Sequence, residues 1–307
     1  MSKCLITYNE CSGDYSKEGL KTLNKDLENI APLNFTQSEL RTEALAMSDK
    51  ISIQGIQPKL SARLNVKEGK FDIVEQHGTY IIKVQVPDRP QMPENEDLTM
   101  KLAKVIGIEV PVHGLVRDKE GQLNYFIKRF DRYSQKSKYA VEDFAQLTER
   151  PSDTKYDAST ESLIPIITNY CTFPAIEMLK LYKRIFFSFM VGNEDMHLKN
   201  FSLITKESKT YLSPAYDLLN STIVMKRTKE ELALPLMGPK ARFKPFHFKE
   251  YLGIERMGLQ KKIVEKVFSE VYEARCSWEG LIEKSFLSEE LKEEYIKVLN
   301  NRFQRMY

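Results

Sequence analysis

TYIIKVQVPDRPQMPENEDLTMKLAKVIG, residues 79–107, carries the pattern that decides the architecture. Residues 79–86 are rich in β-branched side chains and read as a strand. Pro87, Pro90 and Pro93 then break the chain. From residue 94 onward the period changes to that of a helix: Leu98, Leu102, Val105 and Ile106 share one face, acids fill the first turn, and Gly107 ends it. Lys83 sits in the middle of the strand. A charge among such apolar neighbours needs a partner or a ligand, unless strand alternation simply turns it to solvent. Glu96, on the helix that follows, is the candidate partner.

Outward from this stretch, SARLNV (61–66) and FDIVE (71–75) read as strands around a KEGK turn. VPVHGLV (110–116) and LNYFIKRF (123–130) read as two more around DKEGQ. The order is β-β-β-α-β-β, and the first half of the chain reads mostly as strands. Past a junction near residues 130–134 the signal becomes helical. AIEMLKLYKRIFFSFMVG (175–192) is a long apolar helix whose Lys180, Lys183 and Arg184 form a polar face. FSLIT and TYLS make a short hairpin around KESK, and residues 259–278 and 288–303 carry helical periodicity, with the single Trp278 in the core. Residues 132–172 are polar and charged until Leu163 and show no period. The expected fold is α+β with two lobes: a β-rich small lobe over 1–130 and a mostly helical lobe over 131–307. Chains of this plan often bind ligands at the domain interface.

Composition narrows the classes. The chain has 307 residues, 42% of them apolar, enough for a substantial core. Lys+Arg total 46 against 43 Asp+Glu, a net charge of +3, which argues against a dedicated polybasic nucleic-acid binder. No apolar run approaches the ~18 residues of a membrane span. MSKCLITYNECSGDY has no apolar h-region, so no signal peptide is expected. Cys4, Cys11, Cys171 and Cys276 are scattered, as are His77, His113, His197 and His247. A reduced cytoplasm is the expected setting, without a disulfide framework or structural zinc.

The chemistry concentrates in VGNEDMHLKNFSLI (191–204). Asp195 and Asn200 are five apart just past the apolar helix; the hairpin follows, and then LSPAYDLL with Asp217. Phosphoryl transfer needs a carboxylate at the acceptor hydroxyl and hard oxygen ligands for Mg²⁺. Protein kinases use this Asp-x₄-Asn spacing, then a hairpin, then a metal-binding Asp. His197 would brace the loop or touch phosphate. The same residues also suit a helix cap, a turn amide and a surface acid, and spacing alone leaves both readings open. KISIQGIQPKLSARL (50–64) is the candidate phosphate loop: it has one glycine, Gly55, where a glycine-rich loop has three, but Gln54 to Lys59 place backbone N–H groups, Gln57 and Lys59 for anionic oxygens. Ser52 stands at its edge, where a phosphate would add about −1.5 to −2 charge and repel the nucleotide. GPKARFKPFHFKEY (238–251) interleaves Lys240, Arg242, Lys244 and Lys249 with aromatics; it reads either as a DNA-phosphate contact or as a solvated loop with buried rings.

Taken together, SIQGIQPKLSARL, YIIKVQVP, ENEDLTMKLAKVIGIEVPVHGLV, FIKRFDR, NEDMHLKNFSL and LSPAYDLL resemble the HipA family of bacterial toxin serine/threonine kinases over residues 51–219. The chain is shorter at the front than full-length HipA. It is similar in this to the HipT branch, the short kinases of three-component HipBST toxin–antitoxin systems, in which the missing subdomain is a separate protein, HipS. The resemblance implies a protein-kinase-like fold, ATP and Mg²⁺. It implies Asp195 as general base, Asn200 and Asp217 as metal ligands, and Lys83 on the nucleotide phosphates. It further implies Gln54, Gly55, Ile56, Gln57, Pro58 and Lys59 as phosphate loop, and Lys128, Arg129 and Phe130 as adenine hinge. His197, Leu198, Lys199, Asn200 and Tyr216 would line the nucleotide, and Ser52 would be autophosphorylated. Some HipT relatives carry a second loop serine where this chain has Gln54, so a two-serine scheme reduces here to Ser52. The implied target is an aminoacyl-tRNA synthetase, the tryptophanyl enzyme for the HipT branch. The implied partners are HipS-like and HipB-like antitoxins, with operator DNA reached through them and no membrane.

The reading is thus a cytoplasmic toxin kinase that phosphorylates a serine and stops growth. Two rivals stand beside it. One keeps the fold but phosphorylates a small molecule or lipid, since Asp-x-His-x-x-Asn also resembles phosphoinositide-kinase loops. The other is a catalytically silent module that assembles with antitoxin on DNA.

Overall fold

The computed structural model describes residues 2–48, 57–148, 156, 158–225 and 230–307. The chain forms two compact units, each discontinuous in sequence. One comprises Met1–Leu98, Pro111–Lys138 and Lys284–Phe286; the other comprises Thr99–Val110, Tyr139–Glu283 and Leu287–Tyr307.

The first unit opens with two short strands, β1 (Ser2–Lys3) and β2 (Glu10–Cys11), and two helices, α1 (Lys17–Leu23) and α2 (Gln37–Ser48). These helices correct the expectation that the first half is mostly strand. Ser16 caps α1 by accepting from the Gly19 N–H, and α2 buries Leu40, Ala44 and Met47. Five strands then follow the expected order around α3 (Met92–Val105): β3 (Lys59–Asn65), β4 (Lys70–Ile73), β5 (Tyr80–Lys83), β6 (His113–Arg117) and β7 (Leu123–Lys128). They form one antiparallel sheet, ordered β4-β3-β5-β7-β6. Alternation sorts its faces. Leu60, Tyr80, Ile82 and Phe126 are buried on one side, where Phe71, Tyr80 and Phe126 meet ring to ring at 5.0–6.2 Å between centroids. Lys83 and Tyr125 pair on the other. The strand ends at Lys83, so that residue is terminal and not central.

The second unit is built around α6 (Pro174–Met190) and a three-stranded antiparallel sheet. The expected hairpin is β9 (Ser202–Lys206) and β10 (Lys209–Leu212), and its third strand, β8 (Ala140–Asp143), comes from the stretch without a period. Helices α4 (Phe144–Leu147), α5 (Leu163–Tyr170) and α7 (Ser221–Met225) follow in chain order. A π-helix spans His247–Arg256, and α8 (Lys261–Glu273), α9 (Arg275–Lys284) and α10 (Glu289–Met306) complete the unit. Leu181, Tyr182, Phe186, Phe187, Phe189 and Met190 of α6 are fully buried. Each such side chain contributes about 1.5–3 kcal/mol. Phe186 stacks on Phe268 at 4.2 Å, and Trp278 meets Phe187 edge-on at 5.6 Å. Trp278 is indeed core, and its Nε1 donates to the Leu102 carbonyl at 3.0 Å.

Two expectations change with burial. Val105 of α3 is 42% exposed and does not join the apolar face of Leu98, Leu102 and Ile106. Arg184 is 3% exposed, so it leaves the polar face assigned to it and donates through Nη2 to the Ser213 carbonyl at 2.6 Å. The basic segment near residue 240 is tied down locally: Lys240 pairs with Glu230 at 3.4 Å, Lys249 with Glu265 at 2.9 Å, and Phe243 and Phe248 are buried. Among the described residues, no helix is long and apolar enough to cross a membrane.

Candidate active site

In the first unit, Lys83 Nζ lies 2.5 Å from Glu96 Oε1, with both side chains almost fully buried. The Nζ also stands 5.6 Å from the Tyr125 ring centroid. The whole acidic start of α3 is buried rather than solvated: Glu94, Asn95, Glu96 and Asp97 are each at most 6% exposed. Their partners come from the sheet side. Asp97 Oδ1 is 2.6 Å from His113 Nδ1, and Gln85 Nε2 donates to both Glu94 oxygens at 2.9 and 3.1 Å. Burial pushes the Glu94 carboxyl up to about 7. The register places Lys59 directly across from Lys83. Two ammonium groups facing one another across a ladder are unfavourable unless carboxylates or an anion sit near them. Gln57 is buried and donates to the Val84 carbonyl at 2.9 Å, and the Pro58 carbonyl accepts from the Val84 N–H at 3.3 Å. Gln57 and Pro58 are thereby pinned beside Lys83. Ser52, Gln54, Gly55 and Ile56 lie outside the described residues.

At the end of β7, the Lys128 N–H donates to the Val112 carbonyl and the Arg129 N–H to the Thr79 carbonyl. These two amides are therefore committed within the unit. Arg129 also grips Asp131 through two bonds of 2.9 and 2.7 Å. Burial opposes the charge on Asp131, yet the guanidinium holds its carboxyl below the usual range. Lys128 is exposed, and Phe130 is half-buried.

In the second unit, α6 ends at a left-handed Gly192 (φ +70°), and the chain turns into the Asp195 loop. The turn is stitched to α7: the Glu194 N–H donates to Ser221 Oγ at 2.7 Å, and Thr222 Oγ1 donates to the Gly192 carbonyl and to Glu194 Oε1. Burial lifts the Glu194 carboxyl to about 7. Its neighbour Asp195 is half-exposed. The Asn200 amide Nδ2 donates to the Asp195 carbonyl at 2.8 Å, and the His197 N–H to the same carbonyl at 2.8 Å. His197 is buried, with Nε2 4.0 Å from Asp195 Oδ1. Leu198, Lys199 and Asn200 form a single 3₁₀ turn.

Tyr216 links this loop to the segment after β10. Its hydroxyl bonds with the Lys199 carbonyl at 2.9 Å and with Ser202 Oγ. Burial pushes its phenol well up. Asp217 follows with φ +54°, in the left-handed region that Asp tolerates better than most residues. Asp195, His197, Asn200 and Tyr216 thus form one hydrogen-bonded neighbourhood, with Asp217 next in chain. A magnesium ion fits this donor set. Asn200 spends its N–H on the Asp195 carbonyl, and among the described residues nothing donates to its Oδ1; with Asp217 this offers hard oxygens and no sulfur. Among the described residues, no group of three or more His, Cys, Asp or Glu stands ready to hold a metal.

Sequence reasoning missed Tyr156, whose hydroxyl donates to Asp195 Oδ1 at 2.5 Å. It lies 39 residues upstream in the stretch without periodicity, where no local signal marks it. It also missed Glu194 as a buried acid, although two adjacent acids after an apolar helix hint that one points inward.

The architecture is that of a kinase-like α+β fold. Over 83% of the chain it superposes on HipA from the Shewanella oneidensis HipA–HipB–operator DNA complex, with a TM-score of 0.66 and 20% identity, covering 63% of that chain. It also superposes on the Helicobacter pylori proinflammatory kinase CtkA, with a TM-score of 0.53 and 15% identity, covering 74% of this chain and 86% of that one.

The chain belongs to the HipA-like C-terminal domain family, whose profile matches residues 51–278. A Haemophilus influenzae protein described as a "Putative kinase" is 30% identical over 313 residues, covering 91% of this chain and 88% of that protein. The Shewanella oneidensis serine/threonine-protein kinase toxin HipA is 26% identical over 191 residues, 56% of this chain but 43% of the toxin.

Proposed function

We propose that the protein is an ATP-dependent serine/threonine kinase and the toxin of a HipBST-like system, of the HipT type. Asp195 takes the proton of the acceptor serine, and Lys83, held by Glu96, grips the nucleotide phosphates. Asn200 and Asp217 would hold Mg²⁺, which when bound offsets charge on the transferring phosphoryl group. Gln54 to Lys59 cover the phosphates, Lys128 to Phe130 meet the adenine, and Ser52 is autophosphorylated. The target is a serine of an aminoacyl-tRNA synthetase, most simply the tryptophanyl enzyme, in the cytoplasm. HipS-like and HipB-like antitoxins are the partners, with operator DNA reached through them.

The observation that carries this reading is the Asn200–Asp195 bond. It fixes the amide so that its oxygen faces away from the carbonyl that holds its nitrogen, while the Asp195 carboxylate keeps access to solvent. A mere turn amide would not need a carboxylate left half-exposed beside it. The experiment is incubation of the purified protein with cell lysate, Mg²⁺ and γ-labelled ATP. A labelled lysate protein is expected with the parent, and none with Asp195→Gln or Asp217→Gln. Labelled lipid or metabolite without labelled protein would replace the reading by a small-molecule kinase. Undiminished toxicity of both variants would show that catalysis is not the function.

A further inference from the structure

Asp195 is not left waiting for an external hydroxyl. Among the described residues, one side-chain hydroxyl donates to its carboxylate: that of Tyr156, 2.5 Å from Oδ1. The Tyr156 ring stands edge-on to His197, with 5.1 Å between centroids and 84° between planes. The contact is thus held by two residues of the loop. Tyr156 is 37% exposed, so the residue is not sealed in the core. Burial, together with the bond to Asp195 and its negative charge, pushes the phenol well above its ordinary value. The group at the carboxylate is therefore a protonated donor, the state in which an acceptor hydroxyl must meet its base.

We propose that Tyr156 is an intramolecular phosphoryl acceptor, a tyrosine modification site on the same chain, placed at the base it would use. The proposal rests on the kinase reading. The Tyr156 oxygen forms a bond to the γ-phosphorus of a nucleoside triphosphate while the bond from that phosphorus to the β,γ-bridging oxygen breaks. The phenolic proton passes to Asp195 Oδ1, and the nucleoside diphosphate leaves with the electron pair. No oxidation state changes. In the product the phenolic oxygen has no proton to donate, and the ester adds about −1.5 to −2 charge in front of Asp195. The bond that positioned Tyr156 is therefore lost once it is modified, and the carboxylate is released for another acceptor.

The test is peptide mass mapping of the purified full chain after incubation with ATP and Mg²⁺, with ADP release followed in parallel. One phosphate on Tyr156 is expected. It should be absent in Tyr156→Phe, whose fold is checked by circular dichroism, and should form about 100-fold or more slowly in Asp195→Asn. The fraction modified at a fixed time should not change on dilution. ADP release or phosphate on other residues, with Tyr156 unmodified, would overturn this proposal and leave the kinase reading standing. Parent-like modification of Asp195→Asn, or modification that slows on dilution, would also overturn it. No ADP and no phosphoprotein of any kind would bring down both.

Discussion

Lys83 and Glu96 form an ion pair from which water is nearly excluded: Nζ and Oε1 are 2.5 Å apart and the two side chains are 5% and 3% exposed. One residue ends a strand and the other lies in a helix, so the pair also fixes α3 against the sheet. Breaking one half leaves a buried charge without its counter-ion, which costs about 3–5 kcal/mol, whereas replacing both halves with apolar groups is often neutral. Lys83→Met should therefore lower stability strongly, and Lys83→Met with Glu96→Leu should recover most of it. Phosphotransfer should stay lost in both. Urea unfolding and an ATP-turnover assay read the two effects separately. A double variant no more stable than the single one would show that the pair contributes net stability.

Gly192 is where the Asp195 loop departs from α6. Its φ of +70° favours glycine, and an added Cβ would come within 2.7 Å of Thr222 Oγ1, 2.9 Å of Val298 Cγ1 and 3.0 Å of Asn220 Oδ1. Gly192→Ala should thus lose about 1–2 kcal/mol from the backbone alone, and more from the displaced contacts. Fluorescence of the single, buried Trp278 reports unfolding of this unit directly. The expected result is a lower denaturation midpoint and weaker turnover. An unchanged midpoint would mean that the loop relaxes freely around the new methyl group.

What was legible in the sequence was what local chemistry controls. The β-β-β-α-β-β order of residues 59–128 followed from alternation and turn residues, and the apolar α6 from its own composition. Strand β8 was not legible because AVED is short and half-exposed, and only pairing with β9 makes it a strand. Helices α1 and α2 escaped because the first 48 residues mix turns with a weakly amphipathic pattern. Glu96 was legible as the candidate partner of Lys83, but the burial of its neighbours was not, because Gln85, which donates to Glu94, and His113, which pairs with Asp97, lie elsewhere along the chain. Arg184 was misread for the same reason, since the Ser213 carbonyl that it serves is 29 residues away. The Asp195, Asn200 and Asp217 spacing was visible, but the bonds that organise the loop were not.

Glu94 and Glu194 give the protein a defined response to pH. Burial lifts both carboxyls to about 7, against about 4.3 in an unfolded chain. A group whose pKa is raised on folding stabilises the native state fully below its unfolded value, and that contribution is lost as pH rises through the folded value. Stability should therefore fall between about pH 4.5 and pH 7, by on the order of 3 kcal/mol for Glu94, which is nearly fully buried. Glu94→Gln should flatten the part of the profile that belongs to the first unit, and Glu194→Gln the part that belongs to the second. Urea midpoints at pH 5 and pH 7.5 measure this. An unchanged difference in both variants would assign the pH response to other groups.

Asp217 combines a left-handed backbone with an oxygen donor, and the two roles can be separated by substitution. Asn tolerates φ +54° about as well as Asp does, because its short polar side chain bonds locally. Leu does not, and strains the chain by about 1–2 kcal/mol. If the carboxylate serves a metal, Asp217→Asn should keep the parental denaturation midpoint yet lose most Mg²⁺-dependent nucleotide affinity. Asp217→Leu should lose both. Titration of a fluorescent ATP analogue, with magnesium and then with excess EDTA, gives the readout: EDTA should weaken binding to the parent by tenfold or more and leave Asp217→Asn almost unaffected. If Asp217→Asn bound nucleotide as tightly as the parent and kept the same magnesium dependence, the metal would have to be held by other oxygens. The unusual φ would then be explained by the turn that Tyr216 anchors through the Lys199 carbonyl.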